Sequence, residues 1–175
     1  MSELSSVIAN DIDGALVRAK RHLEAEELAE AEALFSVISE RRPKRWEGHL
    51  GMAQVHLLNG RISACLKVLP QAMQVAPDCL PAYQLMARLG IDGGVSDAAL
   101  EWLEFGAQHM PSEPLIFEWM VTLYAMENRL EDLSNCLDYY GRLRGMSAGE
   151  VAMIYARAPE LSEDIRGRIA QAAGF

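Results

Sequence analysis

Four histidines and three cysteines are the candidates for metal binding or nucleophilic catalysis, and their spacing supports neither role. His49 and His56 are seven residues apart and share a helix face, whereas a helical metal pair needs a spacing of roughly three or four. A nucleophilic cysteine needs an adjacent base, and the sequence places none beside Cys65 or Cys136. We therefore predict that His49, His56, Cys65 and Cys136 pack in a core. Cys79 follows a proline turn and would react only if it is exposed.

Other sequence signals of enzymes and of nucleic-acid or membrane proteins are missing. The sequence has no Walker loop and no glycine-rich dinucleotide motif. We predict no enzymatic activity, no cofactor and no metal. The formal net charge of -9 argues against binding to a nucleic-acid backbone, and no apolar run reaches the roughly 18 residues of a membrane span. With three widely separated cysteines, this pattern predicts a cytoplasmic protein that does not insert into membranes.

Three prolines recur at a fixed interval. Pro43, Pro77 and Pro111 are each 34 residues apart, the length of one helix-turn-helix unit in a helical repeat array. Gly60 and Gly94 keep the same interval, at turns where a positive φ is useful. Small residues stand 24 and 12 positions before each proline, and large apolar ones stand eight before: Ala19, Ala53, Ala87, Ala31, Cys65, Ala99, Phe35, Leu69 and Leu103. Small side chains let antiparallel helices approach closely, and the large ones fill the space between hairpins.

These columns resemble the tetratricopeptide repeat family. The unit that matches best reads Tyr83, Met86-Ala87, Gly94, Ala99, Leu103, Pro111. The resemblance implies an all-α fold, a right-handed superhelical solenoid of about four helix-turn-helix units. We predict units at 12–43, 44–77, 78–111 and 112–145, followed by capping helices over 147–173, all within a single domain spanning 1–175.

Local signals refine this prediction. Ser147 and Glu150 have the spacing of a capping box at the start of the cap. Pro70 falls inside a predicted helix, where we expect a bend or a break. At the N-terminus, Leu4, Val7, Ile8 and Ile12 are expected to cover the first hairpin or, alternatively, to contact a second copy of the chain.

The resemblance also implies where a partner binds, because the first helix of each unit lines a concave groove in such arrays. Lys20 and Arg88, with Gln54 between them in the repeat frame, are predicted to hold a carboxylate. Projecting the 34-residue frame onto this wall gives the predicted groove residues: Leu16, Lys20, Leu23, Leu50, Gln54, Leu57, Gln84, Arg88, Glu118, Thr122 and Met126.

The function predicted from the sequence is a non-catalytic scaffold, adaptor or chaperone that binds a peptide segment of another protein. Two alternatives remain open. One is a regulatory or substrate-docking domain of a larger enzyme, and the other is a chaperone of type III secretion translocators, which are also acidic and all-α. We expect a monomer or a weak homodimer.

Overall fold

The computed structural model describes residues 11–175, which form ten α-helices and no β-strand. The hydrophobic side chains of Leu4, Val7 and Ile8 lie outside the described residues. The helices are α1 (Ile12–Glu24), α2 (Leu28–Arg41), α3 (Trp46–Leu58), α4 (Ile62–Val75), α5 (Leu80–Gly93), α6 (Ser96–His109), α7 (Pro114–Met126), α8 (Leu130–Arg144), α9 (Ala148–Tyr155) and α10 (Glu163–Ala172).

The helix starts keep the interval of the prolines. The first helices of the four hairpins, α1, α3, α5 and α7, begin at residues 12, 46, 80 and 114, and the second helices begin at 28, 62, 96 and 130. Both series advance by 34 residues. The prediction of an all-α helical repeat is therefore confirmed. Helix α9 begins at residue 148 and so keeps the same interval after α7, whereas α10 begins one residue early, at 163.

The turn inside each hairpin reverses the chain through one residue in the left-handed region. Gly60 and Gly94 have φ of +70° and +69°, as their spacing predicts. Glu26 and Asn128 occupy the same place in the outer hairpins, with φ of +57° and +56°. In the first hairpin the Glu27 amide donates to the His22 carbonyl at 2.9 Å, which closes a Schellman motif. Each second helix starts two residues after this left-handed position.

The described residues fall into two compact units, the first ending at Ala82 and the second beginning at Tyr83. In the first unit, α2 packs against α1 and α3, and α3 packs against α4. The small residues predicted at these crossings are fully buried there: Ala19, Ala31, Ala53 and Cys65. Gly51 also permits a close approach, since a Cβ on this residue would lie 2.2 Å from Cε1 of the buried Phe35 ring.

Glycines also permit close approaches in the second unit. A Cβ on Gly106 would lie 2.6 Å from the buried Tyr83 ring, and one on Gly90 would lie 2.5 Å from the Ala99 side chain. Helix α10 packs on α7, α8 and α9. It carries Arg168, whose Nη1 donates to the last carbonyls of α7 at 2.9 Å. The C-terminal helices thus satisfy polar groups that the fourth hairpin leaves open.

Two local predictions have opposite outcomes. The capping box is confirmed, because the Glu150 amide donates to the Ser147 hydroxyl and the Ser147 amide donates to the Glu150 carboxylate. Of the predicted bend or break at Pro70, the break is wrong, since α4 runs through the proline as one helix. Leu69, Ala72 and Met73 on either side of the proline are fully buried. Their packing outweighs the loss of one backbone hydrogen bond.

The lengths and hydropathy of the helices show whether any of them could span a membrane. None of the helices within 11–175 combines the length and the apolar character that a bilayer crossing requires.

Candidate functional site

The first unit carries a surface depression of about 370 Å³ that brings four of the predicted groove residues together. Helix α1 contributes Lys20 and Leu23, and α3 contributes Leu50 and Gln54. The remaining lining is Glu24, Phe35, Trp46, Glu47, Gly51 and Pro81. The depression is therefore built from α1, α2 and α3 together with the first turn of α5.

Helix periodicity explains why these side chains share one face. Lys20 and Glu24 are four residues apart on α1, and Leu50 and Gln54 are four apart on α3, so each pair lies one turn apart on the same side. The Phe35 ring forms the floor between the two helices. It fits there because Gly51 has no side chain, so both the shape of the site and the core beneath it depend on this glycine.

The rim of the depression carries polar groups that are free to bind a ligand. Lys20 is exposed and Gln54 is half-buried, and neither side chain has a hydrogen bond or an ion pair with another residue of the described range. Glu47 is already engaged, since Nη2 of Arg45 donates to its Oε1 at 3.2 Å. Hydrogen bonds to Glu47 and then to Asp13 raise the pKa of the Arg45 guanidinium above its ordinary value. Arg45 is not part of the lining, so Lys20 supplies the positive charge there.

This arrangement suits binding of an extended segment. Apolar surface comes from Leu23, Trp46 and Pro81. It lies beside the Lys20 ammonium and the Gln54 amide. An apolar anchor flanked by a carboxylate would satisfy both parts, because an ammonium and an amide N–H both donate to carboxylate oxygens.

Three predicted groove residues in the first unit differ in their exposure. Leu16 and Leu50 are each only 6% exposed, so they belong mainly to the core. Leu50 nevertheless lines the depression with its remaining surface, whereas Leu57 is half-buried and lies outside the lining.

The predicted groove residues of the second unit are of two kinds. Gln84 and Arg88 are exposed, and Arg88 forms a loose ion pair with Asp92 at 3.9 Å. The members on α7 are instead engaged within the unit. Glu118 accepts a hydrogen bond from the Tyr140 hydroxyl at 3.2 Å. Thr122 is buried, and the Met126 carbonyl accepts from Arg168.

The side chains of His49, His56, Cys65 and Cys136 are buried, as predicted. His49 is buried, with Nε2 at 2.8 Å from the Pro43 carbonyl oxygen, and His56 is also buried. Burial raises the pKa of Cys65 to about 11 and that of Cys136 to about 12. Cys79 is buried too, and desolvation raises the pKa of its thiol. Within residues 11–175, no three His, Cys, Asp or Glu side chains are placed to hold a metal ion.

Sequence reasoning missed Trp46 and Pro81. Trp46 shares a column of the 34-residue frame with Ile12, Leu80 and Pro114, at the first residue of each first helix. Extending the projection one turn earlier along these helices would have included it. Pro81 enters from the start of the following hairpin, and a projection confined to one hairpin cannot find such a residue.

Comparisons with known proteins agree with the repeat geometry. The tetratricopeptide repeat family model matches residues 22–89. Among solved structures, the chain is similar to YrrB, a TPR protein with an unusual peptide-binding site, at 11% identity and a TM-score of 0.60. That similarity covers 98% of this chain and 91% of YrrB. A tetratricopeptide repeat protein from Parabacteroides merdae is similar at 13% identity and a TM-score of 0.48, over 91% of this chain and 69% of that protein. No curated protein gives a significant match.

Residues 22–89 therefore belong to the tetratricopeptide repeat family, and the chain has the fold of a tetratricopeptide repeat protein.

Proposed function

We propose that this tetratricopeptide repeat protein is a non-catalytic interaction scaffold that binds a peptide segment of a partner protein in the depression of its first unit. The observation that carries the proposal is the lining of this depression. There the Lys20 ammonium and the Gln54 amide, which have no partner among residues 11–175, lie beside apolar surface. The similarity in fold to YrrB, which has an unusual peptide-binding site, supports the same class of function.

The proposed ligand has an aliphatic or aromatic side chain followed closely by a carboxylate. The apolar side chain packs against Leu23, Trp46 and Pro81, and the carboxylate pairs with Lys20 and Gln54. Glu24 and Glu47, which also line the depression, disfavour a second acidic group on the ligand, because like charges repel.

Selection from a random peptide library tests this proposal. Peptides retained by the wild-type protein are titrated against Lys20→Glu, which reverses an exposed charge that has no partner among residues 11–175. Lys67→Glu is the matched control, because Lys67 is exposed on α4 and lies outside the lining. We expect Lys20→Glu to weaken binding by at least about tenfold, since it replaces a charge-assisted hydrogen bond by a repulsion. Equal weakening by the two variants would contradict the proposal.

A charged substitution in the apolar part of the lining, such as Leu50→Asp, would be unsuitable as a binding test. Leu50 is largely buried, so a charge at this position would lower the stability of the first unit as well as its affinity. Gln54→Ala is the better second variant, because it removes the free amide while leaving the packing of α3 in place.

A further inference from the structure

A second surface lies in the second unit on α6, which is the second helix of its hairpin and carries none of the predicted groove residues. Trp102, Phe105 and His109 follow one another along this helix at spacings of three and four residues. The Trp102 and Phe105 rings meet edge to face, with centroids 5.5 Å apart, and the Phe105 and His109 rings are 4.3 Å apart. Trp102 and Phe105 are only half-buried, so this aromatic row remains accessible.

The row borders a depression of about 220 Å³ whose lining carries negative charge and no cation. Its lining consists of Glu101, Trp102, Glu104, Phe105 and Gln108. Glu104 is engaged, because its Oε1 accepts from the Tyr124 hydroxyl at 2.8 Å and pairs with Arg129 at 3.4 Å. Glu101 is exposed and makes no hydrogen bond or ion pair within the described residues.

We propose that this aromatic and acidic surface on α6 binds an arginine or lysine side chain of a basic segment in a partner protein. The electron-rich faces of indole and benzene rings attract a cation, and the Glu101 carboxylate beside them accepts its N–H donors. The surroundings favour the same ligand, because residues 83–175 contain fourteen acidic and seven basic side chains. This ligand is opposite in charge to the acidic group proposed for the first unit.

The experiment uses a blocked tri-arginine peptide and its citrulline counterpart, which has nearly the same shape without the charge. The indole N–H resonance of Trp102 reports binding in NMR titrations of the full chain, and Trp102→Phe assigns that resonance. Glu101→Gln is the test variant. Glu163→Gln is its control, because Glu163 is an exposed carboxylate on α10, which packs on α7, α8 and α9.

We expect the tri-arginine peptide to shift the Trp102 resonance in a saturable manner, and the citrulline peptide to leave it unshifted. Glu101→Gln should weaken binding by about two- to fivefold, as is typical for an exposed cation site, and Glu163→Gln should not change it. Equal shifts with both peptides would overturn the proposal. So would equal weakening by the two variants, because the effect would then come from the overall charge. Thermal unfolding of both variants checks that they are folded.

Discussion

Each hairpin turn contains one residue whose backbone is in the left-handed region, and these residues recur every 34 positions. How favourable the turn is depends on the type of that residue. Glycine adopts this conformation without a steric penalty, and Gly60 and Gly94 mark it in the sequence. Asparagine also tolerates this conformation, so the residue type of Asn128 is compatible with the same place in the fourth hairpin turn. Glu26 carried no such signal. The first hairpin therefore keeps its geometry despite an unfavourable residue, because the flanking helices determine the turn.

Replacing Glu26 by glycine should stabilise the protein. A non-glycine residue in the left-handed region costs about 1–2 kcal/mol, and the greater freedom of glycine in the unfolded chain offsets part of the gain. We expect an increase of about 0.5–1 kcal/mol in the free energy of unfolding. Urea denaturation followed by circular dichroism measures it.

Glu30→Gly is the matched control for this substitution, because Glu30 is exposed and lies inside α2. At this position in the first turn of α2, the same exchange should destabilise by about 1 kcal/mol, because glycine is the poorer helix former and a carboxylate near the helix N-terminus is lost. Changes of equal sign at the two positions would contradict the explanation by backbone conformation.

The three thiols should be unreactive in the folded protein. Burial raises the pKa values of Cys65, Cys79 and Cys136, so at pH 8 very little thiolate is present, and reagents have little access to it. We expect iodoacetamide to leave all three unmodified at pH 8 and to label all three in urea, as measured by mass spectrometry. Rapid labelling of Cys79 in the folded protein would show that its turn opens.

At the scale of the helices, close packing depends on residues that sequence columns identify only in part. The small residues at helix crossings were predictable, because antiparallel helices that approach closely need them at a fixed place in each hairpin. Gly51 was not predictable in this role. Its importance comes from the Phe35 ring, which lies 16 residues earlier in the chain and on another helix.

Gly51→Ala should therefore destabilise the first unit although alanine is the better helix former. The new Cβ would overlap the Phe35 ring, which is almost completely buried beneath the depression, so moving the ring would disturb the packing around it. Overpacking of this kind typically costs about 1–3 kcal/mol. The free energy of unfolding in urea measures the loss.

Gly167→Ala provides the comparison. Gly167 lies inside α10 with no atom within 4 Å of an added Cβ, so alanine should stabilise there by about 0.5–1 kcal/mol. A stabilising effect at both positions would mean that the contact between Gly51 and Phe35 does not constrain the core.

At the scale of the whole molecule, the repeat architecture was predictable and the binding depression was predictable only in part. The interval of the prolines reflects a backbone constraint that every hairpin shares, so it sets the helix starts along the chain. The depression depends on the side chains at surface positions of the first helices, which the repeat interval does not constrain, and on Trp46 and Pro81 at helix starts. Lys20, Leu23, Leu50 and Gln54 could be found because they face the same side of first helices.

The central claim is that a partner peptide lies in the depression of the first unit. Photo-crosslinking tests it most directly, with a benzophenone amino acid in place of Gln54 in one variant and of Lys67 in another. Each variant is irradiated with a peptide selected by the wild-type protein, and the crosslinked residues are mapped by mass spectrometry. We predict crosslinks from position 54 that map to the apolar and acidic residues of the peptide, and none from position 67. Equal crosslinking from the two positions, or crosslinking from position 67 alone, would contradict the claim.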